Sequence, residues 1–140
     1  MNQNVELIGW REWVSLPEFG VPAIKAKIDT GARTSALHAF LIEAFKKDGR
    51  DKVKFAIHPL QRNTKMQMIC IADVLDVRTV TDSGGHEEER FVIQTPVKLG
   101  NYIWPIEMTL TNRDSMAFRM LLGRTALSNK FHIDPKQSYL

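Results

Sequence analysis

Short runs of apolar and β-branched residues recur along this chain and are cut, about a strand's length apart, by turn-forming residues, a pattern that points to an all-β fold. The cuts are Pro17-Glu18-Phe19-Gly20, Lys47-Asp48-Gly49-Arg50, Asp82-Ser83-Gly84-Gly85 and Leu99-Gly100-Asn101. Between them lie Val5 to Leu16, Val21 to Ile28, Val53 to Ile57, Met66 to Val80 (one or two strands), Arg90 to Val97 and Tyr102 to Thr111. Val21 to Ile28 is the plainest, with Ile24, Ala26 and Ile28 on one face and Lys25 and Lys27 on the other. Thr34 to Lys47 fits a helix face through Leu37, Leu41, Ala44 and Phe45, but the Asp48-Gly49 turn beyond it favours strands. Pro105 predicts a bulge or a sheet edge. Only Arg124 to Lys130 reads as a short helix. The expectation is a single all-β domain over 1–140, a barrel or sandwich, with one short helix near the C-terminus.

Composition narrows the function. Nineteen Lys and Arg against 16 Asp and Glu leave a formal charge of +3, and the basic residues are scattered, so direct nucleic-acid binding is not expected. The single cysteine, Cys70, cannot close an intramolecular disulfide and predicts a reducing, cytoplasmic setting. No apolar run approaches the roughly 18 residues of a membrane span, and no leader-like segment opens the chain. Phosphate-cradling glycine loops are missing, so no nucleotide cofactor is expected here.

The chemistry concentrates where the alternating strand runs into Asp29-Thr30-Gly31-Ala32. An acid projected from a strand end, a hydroxyl able to hold neighbouring backbone and a glycine that admits a second backbone suit an aspartic peptidase site. A plain polar turn fits the same tripeptide. A second signal lies far downstream, in Met120-Leu121-Leu122-Gly123-Arg124, where two large apolar residues and a glycine precede the short helix.

Together these motifs resemble the retropepsins, in which a hydrophobic-D-T-G-A motif precedes a hydrophobic-hydrophobic-Gly-Arg motif and a short C-terminal helix. Within that superfamily the resemblance is to the RimB-like bacterial group, also known by an older label of ATP-dependent zinc protease. It extends through Gly9 to Glu12, Lys25 to Ala39, Ile57 to Gln61, Ser83 to His86, Thr109 to Asp114 and Phe118 to Thr125. The resemblance implies an acid-protease barrel and an aspartic endopeptidase, with Asp29 as the shared acid and base. Thr30 and Gly31 would hold its loop, and Ala32, Leu121, Leu122, Gly123 and Arg124 would support it. Arg33 and a hairpin tip at Gly84, Gly85 and His86 would face substrate.

Peptide hydrolysis of this kind needs two carboxylates about 3 Å apart sharing one proton. Asp82-Ser83-Gly84 is an in-chain rival, but it follows too soon for a second lobe and has no apolar-apolar-Gly partner. A homodimer with Asp29 from each protomer is therefore expected. Where retroviral enzymes carry an acid after D-T-G-A, this chain has Arg33, so Arg124 needs another partner, with Asp114 and Asp134 as candidates. No metal is expected. His86-Glu87-Glu88-Glu89-Arg90 lacks the second histidine of H-E-x-x-H, and His38, His58, His132 and Cys70 match no zinc spacing. The RimB-like link to ATP-grasp glutamate ligases suggests a glutamate-rich tail as substrate, with Arg33, Lys25, Lys27, Arg62 and Arg90 as candidate cations. The competing reading is a non-catalytic β-barrel module for an acidic or nucleic-acid partner.

Overall fold

The computed structural model describes residues 6–58, 67–81, 84–112, 118–128 and 130–140. In place of one strand over 5–16 there are two, β1 (Glu6–Gly9) and β2 (Arg11–Leu16). The chain changes sheets between them for a steric reason. A Cβ at Gly9 would overlap the backbone carbonyl of Gln137, and the Trp10 N–H donates to that same carbonyl at 2.9 Å. The expected turn at Pro17–Phe19 is a single 3-10 turn closed by Gly20 in the left-handed region.

β3 (Val21–Asp29) keeps the predicted alternation, with Ile24, Ala26 and Ile28 buried and Lys27 exposed. The ambiguous segment forms two strands, β4 (Ser35–His38) and β5 (Phe40–Lys47), divided at Ala39, whose N–H donates to the Thr111 carbonyl. Asp48 and Gly49 both take positive φ, as a two-residue type I′ hairpin requires, and lead into β6 (Arg50–Ile57). Then follow β7 (Met68–Asp73), β8 (Asp76–Thr81), β9 (Glu87–Leu99), β10 (Tyr102–Thr111) and β11 (Met120–Gly123). The chain closes with α1 (Arg124–Leu127) and β12 (Phe131–Asp134). β9 begins earlier than Arg90 because β8 pairs with it from Glu87 onward. The helix is shorter than expected. The Ser128 hydroxyl and N–H both turn back to the Arg124 carbonyl, and Phe131 is drawn into the core.

Among the described residues a sheet runs β10-β4-β11-β3-β2-β9-β8, and the added pairing of β10 with β9 closes it into a barrel with β8 outside the ring. β11 lies between β3, to which it is parallel, and β4, to which it is antiparallel, although β3 and β4 are consecutive in the chain. Its register sets Leu122 beside Ile28 and Gly123 beside Asp29. Pro105 opposes Pro96 in an unbroken β9–β10 register, so there is no bulge. It lies in the part of β10 that β4, which joins only at Met108, leaves as an edge. A second sheet, β5-β6-β7, and the parallel pair β1–β12 complete the architecture. Val53, Phe55, Ile57 and Cys70 of that second sheet join the barrel's buried cluster. The fold is thus all-β with one short helix, as expected.

Glu12 fastens the terminal segments. Only 3 % exposed, its carboxylate accepts the Gly9 N–H at 2.7 Å and the Leu140 N–H at 2.8 Å. Glu12→Ala strands a buried donor, and a loss of about 1–3 kcal/mol is expected in denaturant unfolding. Glu12→Gln, which keeps an acceptor oxygen, should recover most of it. An alanine variant with wild-type stability would contradict this role.

Candidate active site

β3 ends by delivering Asp29 half-buried at the edge of the barrel, with Ile28 sunk in the core behind it. The turn that follows is tight. Asp29 Oδ1 accepts the Gly31 N–H at 3.0 Å, and the Asp29 carbonyl accepts the Ala32 N–H at 3.2 Å. A Cβ at Gly31 would stand 3.2 Å from that carboxylate oxygen, closer than ordinary contact.

The loop is then clamped by the chain's far end. The Arg124 guanidinium donates to the Gly31 carbonyl at 3.2 Å, and the Arg124 N–H to the Ala32 carbonyl at 2.8 Å. Thr125 supplies both its N–H, at 3.2 Å, and its hydroxyl, at 2.7 Å, to the Arg33 carbonyl. Three successive loop carbonyls are thereby taken by the start of α1, where the first N–H groups of a helix have no partner within it. α1 is itself held to the barrel, since Trp104 Nε1 donates to the Ala126 carbonyl at 3.0 Å. Gly123 makes the approach possible: a Cβ there would lie 2.7 Å from the Thr34 carbonyl carbon and 2.9 Å from the Ala32 oxygen. Its N–H donates to Ser35 Oγ at 3.0 Å, and Leu122 packs in the core while Leu121 is half-buried.

The structure therefore gathers Asp29, Gly31, Ala32 and Arg33 with Gly123 and Arg124. Thr30 and Arg33 are exposed on this loop. The acid sought for Arg124 is replaced by a loop carbonyl. Of the two candidates, Asp134 accepts instead from the Lys136 N–H and Gln137 Nε2, and Asp114 lies outside the described residues. Gly84, Gly85 and His86 form the exposed approach to β9, Gly85 with φ +82°, whereas Asp82 and Ser83 lie outside the described residues, as does Arg62.

Two cations assigned to the cleft are occupied elsewhere. Arg90 is buried against Glu88 and Thr109, and Lys25 stands over the Trp13 and Tyr139 rings. Cys70 is buried, which pushes its thiol up to about 11, so at neutral pH it is a protonated core residue and not a nucleophile. His86 to Arg90 leads into a strand, where residues four apart are about 13 Å apart, too far to share a metal as helical neighbours do. Among the described residues no group of three or more His, Cys, Asp or Glu converges as a metal site.

What sequence reasoning missed is a set of buried hydroxyls: Ser35, which holds the Gly123 N–H, and Thr109 and Thr111 on β10. Alternation finds apolar faces and is silent on polar groups that pair with one another away from water. Alanine at Ser35 leaves the buried Gly123 N–H without its acceptor and is expected to cost about 1–3 kcal/mol. Gly123→Ala should cost about as much through overlap with fixed backbone. In both, the amide resonances of residues 29–34 should shift; wild-type spectra and melting curves would show that the clamp does not depend on these contacts.

A family model described as RimB-like, retropepsin-like aspartic endopeptidase RimB, matches residues 7–140. Two proteins named "Probable alpha-L-glutamate ligase", from Shewanella halifaxensis and Desulfotalea psychrophila, are each 48 % identical, over 139 and 137 residues respectively. These matches cover 99 % and 96 % of this chain but 30 % of each relative, so the chain spans under a third of their length. The crystal structure of a Legionella pneumophila protein of unknown function matches with a TM-score of 0.80 and 25 % identity, over 96 % of both chains. A clamped D-T-G loop on a closed β-barrel and a family match over nearly the whole length agree, and the chain belongs to the RimB-like family of retropepsin-like aspartic endopeptidases.

Proposed function

We propose that residues 1–140 act as one domain of a homodimeric aspartic endopeptidase whose site is built from two copies of Asp29. The observation that carries this reading is a single strand-end carboxylate on a loop whose carbonyls are held by Arg124 and Thr125. Such a loop supplies one rigid half of a dyad. With two copies about 3 Å apart, like charges prevent both from ionising, and one proton is shared. The ionised Asp29 takes a proton from water as the water oxygen attacks the peptide carbonyl carbon. The protonated Asp29 of the other copy gives its proton to the carbonyl oxygen. Collapse of the tetrahedral species breaks the C–N bond, and the amine leaves with a proton returned through the pair. Thr30 and Gly31 hold the loop, while Leu121 to Arg124 support it from behind.

The proposed substrate is an acidic, glutamate-rich peptide tail met in the cytoplasm. Support comes from the exposed Arg33, four residues beyond Asp29, and from relatives named as glutamate ligases that carry a segment like this chain. A hydrolase joined to a ligase would act on the bonds the ligase makes. The same names favour a second reading, in which the domain is a non-catalytic module that brings an acidic chain to a ligase.

Asp29→Asn separates the two. Asparagine still accepts the Gly31 N–H through its carbonyl oxygen, so stability should stay within about 0.5 kcal/mol, while cleavage of a glutamate-tailed peptide should fall at least about 100-fold. Arg33→Gln should slow the acidic peptide selectively, and added salt should act likewise. Unchanged turnover in Asp29→Asn would remove the peptidase reading; equal rates on acidic and neutral peptides at all salt concentrations would remove only the acidic substrate.

A further inference from the structure

Arg90 is an unusual residue to find buried, on the face of β9 that turns away from the barrel's core residues. It is 9 % exposed, and a guanidinium withdrawn from water must be closely paired to be tolerated. Its Nε donates to Glu88 Oε2 at 3.1 Å and its Nη1 to Thr109 Oγ1 at 3.4 Å. The hydroxyl proton of Thr109 is directed onward to the Ser35 carbonyl at 3.3 Å, which leaves the hydroxyl oxygen to accept from Arg90. Through a different atom, Oγ, the same Ser35 accepts from the N–H of Gly123, the residue beside Asp29 in the β11–β3 register. Glu88 is also held by the Thr111 hydroxyl, which donates to its carboxylate at 3.3 Å. The hydrogen bonds run from Glu88 to the Ser35 carbonyl, and the covalent frame of Ser35 joins them to the bond that its hydroxyl oxygen accepts from Gly123.

The two ends of this path are functionally distinct places. Glu88 and Arg90 lie two apart on the part of β9 that pairs with β8, directly after the tip at Gly84 to His86. The other end is the backbone that clamps the Asp29 loop. We infer that Arg90 is a positioning residue: through Thr109 and Ser35 it couples the β8–β9 hairpin to the Asp29 loop, so that the hairpin and the carboxylate are held in one mutual arrangement. The inference rests on the peptidase reading for its catalytic consequence but not for the coupling itself. It also withdraws Arg90 from the substrate contacts, because its charge is committed inside the protein.

The test removes the pair without stranding a charge. In the double variant Glu88→Gln with Arg90→Met, hydrogen exchange is followed at the amides of Gly123 and Gly31, with barrel amides remote from the path as reference. Exchange at Gly123 and Gly31 is expected to quicken at least about fivefold relative to the reference amides, and kcat on a cleavable peptide to fall by a similar factor with KM nearly constant. Arg90→Lys alone, keeping charge but losing the fork, should reproduce the kcat loss. Uniform quickening of all amides, or unchanged exchange at Gly123 and Gly31, would overturn the coupling and leave Arg90 a structural ion pair. If wild-type protein cleaves nothing, the peptidase reading fails, and the exchange result alone decides the coupling.

Discussion

The rest of the site depends on one close approach: the last residues of β11 and the first of α1 lie against the backbone of the Asp29 loop with no side chain between them. Gly123 permits it, since any Cβ there would overlap Thr34 and Ala32. The contact spans most of the chain, and it exists only because β11 enters the sheet between β3 and β4. That insertion turns an exposed acidic turn into a fixed one. The carbonyls of residues 31–33, which a free turn would leave to water, are taken by Arg124 and Thr125. Burial of the neighbouring strands then holds the carboxylate by packing as well as by hydrogen bonds.

Much of this was legible in the residues because it rests on local rules. Alternation marked β3 and Asp48-Gly49 marked the type I′ hairpin, while the pairing of Asp29-Thr30-Gly31 with Leu121-Leu122-Gly123, which is not local, was suggested by the resemblance to retropepsins. What was hidden depends on partners far away in the chain. The break at Trp10 comes from Gln137, the early end of α1 from the turn back at Ser128 and the burial of Phe131, and the partner of Arg124 is a carbonyl that no side-chain inventory includes. Arg90 was misplaced for the same reason. In a run of Glu87-Glu88-Glu89-Arg90 it reads as a candidate cation for the cleft, and only Thr109 across the β9–β10 pairing shows where it goes.

One Asp29 loop per chain has a consequence for how such a domain is used. As proposed, a protomer carries half a site, so assembly and activity are tied, and joining the domain to another protein would not by itself complete it. In the relatives named as glutamate ligases, a segment like this one makes up 30 % of the length. Among the described residues, Arg33 and Lys27 are exposed basic residues on or beside the loop, while Lys25 stands over aromatic rings and Arg90 is paired with Glu88.

The most direct measurement is subunit mixing. Wild-type and Asp29→Asn protomers are combined in known ratios, exchanged to equilibrium, and assayed on a glutamate-tailed peptide at constant total protein. If each site needs Asp29 from both protomers, activity follows the square of the wild-type fraction, so an equal mixture retains about a quarter of full activity. A linear fall, with about half the activity remaining at equal mixture, would mean that one chain suffices and would contradict the two-chain site.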